Sequence, residues 1–400
     1  MRALVLPLCR RVALLSALTG LANCHGLDRP PAAAAKAPAA PAASWALVGF
    51  AKVDSINPIL GPGPGGRFLD PLLKQPVRWE AKDVFNPAVV VKDGRVYMLY
   101  RAENRVTPAV GKTSRIGLAS SSDGIHFTRL PAPVLYPDHD AQQKYEWPGG
   151  TEDPRVVEGP GRAYYMTYTA YDGDKARLHV ATSPDLRHWT KHGNAFARAA
   201  GGRYVDKWTK SGAIVSRYEP DGRVVAAKIN GRYWMYWGDA QIWLATSEDL
   251  IHWTPVEMAP GEKPPVPLRA QALTMPTLKI VLPTRAGKFD SDLVEPGPPA
   301  MLTDQGIRLI YNGRNEPAFG DKTLAVGTYS AAQALFDPHD PTRLLQRMGT
   351  SFLRPDRPYE ITGQVNQVVF LEGLVRFQNR WLLYYGTADS KIAVATRPVP

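Results

Sequence analysis

"DGRVYMLYRA" (93–102), "PGRAYYMTYTA" (160–170), "NGRYWMYWGD" (230–239), "QGIRLIYNGR" (305–314) and "QNRWLLYYGTAD" (378–389) are one phrase written five times, a turn followed by an alternating aromatic-rich run. Their turn residues Gly94, Gly161, Gly231, Gly306 and Asn379 stand 67, 70, 75 and 73 residues apart, a spacing regular enough to mark five copies of one unit. A second run follows each phrase. "RIGLASSSDGIHFTRL" (115–130), "RLHVATSPDLRHWTKH" (177–192) and "QIWLATSEDLIHWTPV" (241–256) are plainly the same element, while "KTLAVGTYSAAQALF" (322–336) and "KIAVATRPV" (391–399) are degraded versions of it. Period-2 alternation, β-branched and aromatic residues and Gly, Asp and Asn turns predict strands and hairpins.

A unit near 70 residues is too long for a solenoid coil and suits a four-stranded propeller blade with its loops. The chain is therefore expected to be all-β, a five-bladed β-propeller over 46–400. The outer strand missing from the last blade is expected from the segment near Phe50 to Pro58, which closes the ring and removes the open edges. Polar residues at matching strand ends then meet in one axial funnel although they are far apart in sequence. They include Asn86, Arg101, Asp153, Lys210, Asp239, Glu295, Asn312, Arg314 and Asp389. Propeller turns use Asp and Asn freely for structural reasons, but four carboxylates in a common funnel repel one another unless they are paired or catalytic.

The N-terminus reads differently. "MRALVLPLCRRVALLSALTGLANC" (1–24) has a basic start, a short apolar run and a small-residue end, the layout of a secretory signal. "LTGLANC" also fits a lipoprotein box, so cleavage further along and lipidation at Cys24 with attachment to a membrane are both open. Residues 25–45 are Ala/Pro-rich and read as a flexible linker. An exported, periplasmic protein is the expectation. Both cysteines, Cys9 and Cys24, fall in the leader, which leaves the folded part no disulfide and no cysteine metal site.

The net charge of +11 suggests a polyanion partner until the leader is set aside. Residues 1–44 carry five cations against one acid, so +7 remains, with no Lys/Arg cluster or nucleic-acid motif. No nucleic-acid partner, cofactor or metal is expected. The histidines, among them His126, His139, His179, His188 and His252, show no zinc spacing, and those that precede Phe or Trp in the repeat read as edge residues. Repeated Ser-x-Asp steps read as hairpin turns. Trp208 and Trp237 are the two ring faces named as candidates to stack on a sugar.

"WPGGTEDPRVV" (147–157) holds two adjacent carboxylates before a proline, which by itself is an ordinary turn signal. Read together with "FNPAVV" (85–90), "YRAEN" (100–104), "KSGAIV" (210–215), "LVEPGPP" (293–299), "LIYNG" (309–313) and "LYYGTAD" (383–389), it resembles glycoside hydrolase family 130, the β-mannoside phosphorylases and β-mannosidases. The resemblance runs from about residue 50 to the C-terminus and also implies a five-bladed propeller. It further implies that Asp153 is the general acid of an inverting reaction, protonating the glycosidic oxygen through the mannose 3-hydroxyl. Asn86, Arg101 and Asp389 would hold that mannose. Phosphorylases of the family carry a cationic phosphate site with a histidine in a "YHG" strand, where this chain has Asn312, and hydrolases place carboxylates there.

A dianionic phosphate beside Asp239 and Glu295 would be repelled. Hydrolysis of β-1,2 or β-1,4 mannosides is therefore expected, with Asp239 and Glu295 as the base or water-orienting pair, and export agrees, since a sugar phosphate is of use inside the cell. Lys210 keeps phosphorolysis open. An arabinan- or fructan-cleaving propeller glycosidase and an inactive glycan-binding propeller are the remaining alternatives.

Overall fold

Asp93-Gly94 and Asn230-Gly231 have positive φ at both positions, 48° and 70° in the first and 51° and 79° in the second. This is the two-residue turn whose twist matches an antiparallel pair, and Asp-Gly and Asn-Gly form it most readily. Each of the five repeated phrases accordingly becomes the second strand of an antiparallel meander.

The computed structural model describes residues 45–63, 66–107, 111–265 and 270–399. The expected signal peptide and the expected linker lie outside them, except that Trp45 is already buried. The described chain is all-β apart from short turns of helix. The first meander runs through Asp83–Lys92, Arg95–Glu103, Ser114–Ser121 and Thr128–Arg129, and the second through Gly150–Glu158, Tyr164–Tyr171, Ala176–Ser183 and Thr190–Asn194. The third is Ala213–Ile214, Arg232–Trp237, Ile242–Ser247 and Trp253–Pro255, and the fourth is Leu293–Pro296, Gly306–Arg314, Tyr329–Phe336 and Leu344–Arg347. The fifth is Val369–Phe377, Arg380–Thr387 and Lys391–Pro398, and it takes its outer strand from Ala51–Lys52, paired antiparallel with Thr396 and Ala395. That pairing ties the start of the described chain to its end.

A single parallel pairing joins the first meander to the second, Ser114 with Gly150, and the added hairpin of Ser216–Tyr218 and Val224–Ala226 links the second to Met301–Thr303, beside the fourth, by Val225 with Glu158 and Ser216 with Met301. The apolar core lies between meanders rather than in one place. Leu99 and Leu118 of the first pack with Met166 and Tyr168 of the second, Tyr236 and Leu244 of the third with Leu309 and Tyr311 of the fourth, and Ile310 of the fourth with Leu371 and Leu383 of the fifth. The fifth returns to the first, where the Tyr384 hydroxyl donates to the Gly124 carbonyl at 2.7 Å. The first strand of each meander is consequently covered on both faces. Gly150–Glu158 is buried at every position, so any charge it carries must find partners inside the protein.

Candidate active site

Asn86 and Asp153 occupy the same place in the first strands of their meanders, each immediately before a proline and each at a break in strand register. Proline offers no N–H, so the ladder is interrupted there. Both residues adopt left-handed backbone, φ 51° and 49°, which Asn and Asp tolerate better than other side chains. Such a bulge turns a side chain away from its strand alternation. Here it brings the two together: Asn86 Nδ2 donates to Asp153 Oδ1 at 2.8 Å. Gly386 of "YYGTAD" makes room for this, because a Cβ there would lie 2.8 Å from Asn86 Oδ1.

Two cations complete the contacts of Asp153. Arg101 Nη1 donates to Oδ1 at 3.1 Å, and Lys210 Nζ lies 3.2 Å from Oδ2. Burial pushes the Asp153 carboxyl up, but Lys210, Arg101 and the Asn86 amide outweigh it and hold the group well below the usual carboxylate range. Arg101 also meets Glu152 at 2.7 Å and Glu103 at 2.8 Å, and stacks over the Phe85 ring. Burial opposes ionisation of Glu103, yet Arg101 and Lys112 bring it down to about 2. Lys210 is charged in spite of its burial, because Asp153, Glu295, Asp239 and Glu152 surround it.

Glu295 and Asp389 behave in the opposite way. Glu295 accepts a hydrogen bond from the Ser211 hydroxyl, and burial pushes it up to about 7, with Lys210 opposing and Asp239 adding to the rise. Burial likewise lifts Asp389 to about 6, with Arg101 opposing and Asp153 adding. One funnel thus holds carboxylates at unequal protonation, which is the physical requirement for acid and base work by the same residue type.

The nominated residues are not all brought to one point. Asn86, Arg101, Asp153 and Lys210 are in direct contact, and Glu295 adjoins them through Lys210. Asp239 acts on Glu295 and Lys210 through its charge, but Oδ2 accepts from the Trp208 indole at 2.8 Å and Oδ1 from Gln271 Nε2 at 2.9 Å. Asn312 is fully buried, and its amide donates to the Leu371 carbonyl at 3.0 Å and accepts from the Leu371 N–H at 2.8 Å. It therefore pins the first strand of the fifth meander, from a position wholly shielded from solvent. Arg314 pairs with Asp292 at 3.2 Å and stands apart. Of the two tryptophans, Trp237 is wholly buried against Phe196 and Trp243, whereas Trp208 is exposed. His179, which precedes Val180, is buried between Tyr145 and Tyr168, and burial holds it down at about 3. His126 and His188 do lie exposed, each bonded at 2.7 Å to the aspartate of its own turn.

Three participants escaped the sequence reading. Glu152 binds Arg101, and Arg155 reaches the fourth meander, donating to the Pro296 carbonyl at 2.6 Å and the Gly297 carbonyl at 2.8 Å. Glu372, fully buried and 2.9 Å from Arg155, is pushed well up by burial. "FLEGLV" (370–375) did hold a signal, since a lone carboxylate in an apolar strand sits where "FNP" and "EDP" carry Asn86 and Asp153. A cavity of about 380 Å³ opens over Arg101, Glu152, Lys210 and Trp208.

Paired carboxylates fixed at unequal protonation beside a cavity of this size are the equipment of enzymes that cleave glycosidic bonds. The family profile described as "beta-1,4-mannooligosaccharide phosphorylase" matches residues 72–400, and the chain belongs to glycoside hydrolase family 130, whose members are hydrolases or phosphorylases. The 1,2-beta-oligomannan phosphorylase of Thermoanaerobacter sp. (strain X514) is 30% identical over 323 residues, covering 79% of this chain and 90% of its own. A solved protein of Bacteroides thetaiotaomicron VPI-5482 is 46% identical over 88% of this chain and 97% of its own, with a TM-score of 0.81. Another, 43% identical over 89% of this chain and 95% of its own at a TM-score of 0.82, is described with the statement that the family of mannoside phosphorylases contains glycoside hydrolases that target beta-1,2 mannosidic linkages in Candida mannan.

Proposed function

We propose that the protein is an exported, inverting β-mannosidase whose five meanders are the blades of a five-bladed propeller around the funnel. The observation that carries hydrolysis over phosphorolysis is the setting of Lys210. Its ammonium already faces Asp153, Glu295, Asp239 and Glu152, and Asn312, where a phosphorylase would have histidine, is spent on the Leu371 backbone. A phosphate dianion would enter among carboxylates where Lys210, Arg101 and Lys112 are each already paired with one, whereas neutral water meets no such repulsion.

In this reading the terminal mannose binds among Asn86, Arg101 and Asp389. Asp153 passes its proton to the mannose 3-hydroxyl as that hydroxyl gives its own to the glycosidic oxygen. Water attacks the anomeric carbon from the opposite face while Glu295 takes the water's proton, and the products are α-mannose and the freed alcohol. The resting funnel has the proton on Glu295 and the charge on Asp153, so the reactive form reverses that distribution. Sugar hydroxyls that draw Arg101 and Asn86 away from Asp153 loosen the hold that keeps it ionised. The β-1,2 activities of the relatives make β-1,2-mannobiose the first substrate to try. Asp153→Asn and Glu295→Gln test the roles: each is expected to lower release of mannose by about a hundredfold or more while the fold is retained, and turnover near the wild-type rate in either would contradict the assignment. Export rests on the leader, and a mature protein recovered from the periplasm, with or without a lipid on Cys24, checks it.

A further inference from the structure

Trp208 is 38% exposed, yet it is held fast. Its indole N–H donates to Asp239 at 2.8 Å, Gln271 donates to the other oxygen of Asp239 at 2.9 Å, and the same Gln271 amide donates to the Trp208 carbonyl at 3.0 Å. The three residues close a hydrogen-bonded loop that fixes the plane of the ring. The ring stands between two hollows. One is the cavity over Arg101, Glu152 and Lys210, and the other, about 510 Å³, is lined by Asp239, Gln271 and Thr274 on the far side of Trp208. An aromatic face kept in water by polar bonds at its edge gains nothing from the core. It is suited to a partner that is apolar on one face and polar at its rim, as a pyranose ring is.

We infer that Trp208, fixed by Asp239 and Gln271, is the platform for the leaving-group sugar, and that Asp239 is a positioning residue acting through Trp208 rather than a base. The inference rests on the mannosidase reading above. Asn86 and Arg101 hold Asp153, and Arg101, Lys210 and Trp208 line one cavity, so with the terminal mannose at Asp153 the sugar on the other side of the scissile bond leads out past Lys210 and onto Trp208. Each oxygen of Asp239 accepts from a group that orients the ring, and in this reading water activation falls to Glu295.

Two donors separate this role from a general one. β-Mannosyl fluoride has no leaving-group sugar, and β-1,2-mannobiose has one. Trp208→Ala is expected to lower kcat/KM on the disaccharide about tenfold more than on the fluoride, mostly through KM. Trp208→Phe, which keeps a ring and loses the N–H, should recover most of that difference. Asp239→Asn should shift the ratio in the same direction by less, because the amide oxygen still accepts one of the two bonds. Equal losses on both donors in Trp208→Ala would overturn the inference, as would Asp239→Asn losing fluoride turnover to the extent that Glu295→Gln does. Wild-type protein inert on both donors would instead mark failure of the mannosidase reading itself.

Discussion

Asp153 and Asp185 lie in the same meander, the first at a bulge of its opening strand and the second in the turn after its third strand, and both are held ionised by hydrogen bonds or charges that outweigh their burial. Their partners differ. Asp185 accepts from the N–H groups of Arg187 at 2.8 Å and His188 at 2.9 Å and bonds the His188 ring at 2.7 Å, all within three residues. Asp153 is held by Asn86 and Arg101, 67 and 52 residues away, and by Lys210. The first arrangement needs only a local turn, and it recurs with Asp123 and Asp249. The second needs several meanders in place. At Asp153 the groups that stabilise the charge come from elsewhere in the fold, which a local turn cannot supply.

Substitutions should separate the two regions sharply. The largest effect is expected at the funnel: Asp153→Asn should lower kcat by about a thousandfold or more, while Asp185→Asn leaves turnover at the wild-type level, both read from steady-state release of mannose. Glu295→Gln should follow, at about a hundredfold or more. The pH profile sharpens the assignment. The resting pair holds one proton, on Glu295, and it is lost as pH rises through about 7, so kcat/KM should fall above that pH. A profile that climbs through 7 and stays high to 9 would break the proposed coupling.

Two stability effects come last. Asn312→Ala should cost about 2 kcal/mol in a denaturant titration, because it orphans the buried N–H and carbonyl of Leu371. Asp185→Ala should cost about 1 kcal/mol, the scale of a lost side-chain cap on backbone N–H groups. An Asp185 effect on catalysis larger than its effect on stability would undo the contrast with Asp153.

The repeat made the five meanders legible, because a turn and an alternating run are local physics written in neighbouring residues. Even the borrowed outer strand at Ala51–Lys52 could be anticipated, since the last repeat ends one strand short. The contacts among Asn86, Arg101, Asp153 and Lys210 followed from placing strand ends on one axis. What stayed hidden was rotamer and depth. Nothing in "YNG" says that the Asn312 amide turns to the backbone of the next meander, and nothing in "WGD" says that both oxygens of Asp239 are engaged. Arg155 was visible in "EDPR", but a reach to Pro296, Gly297 and Glu372 belongs to three strands at once.

The most direct test follows the anomeric signals by proton NMR as the mature protein acts on β-1,2-mannobiose, with and without inorganic phosphate. The account predicts α-mannose as the first product at the same rate in both samples. Mannose 1-phosphate formed only when phosphate is present would contradict it.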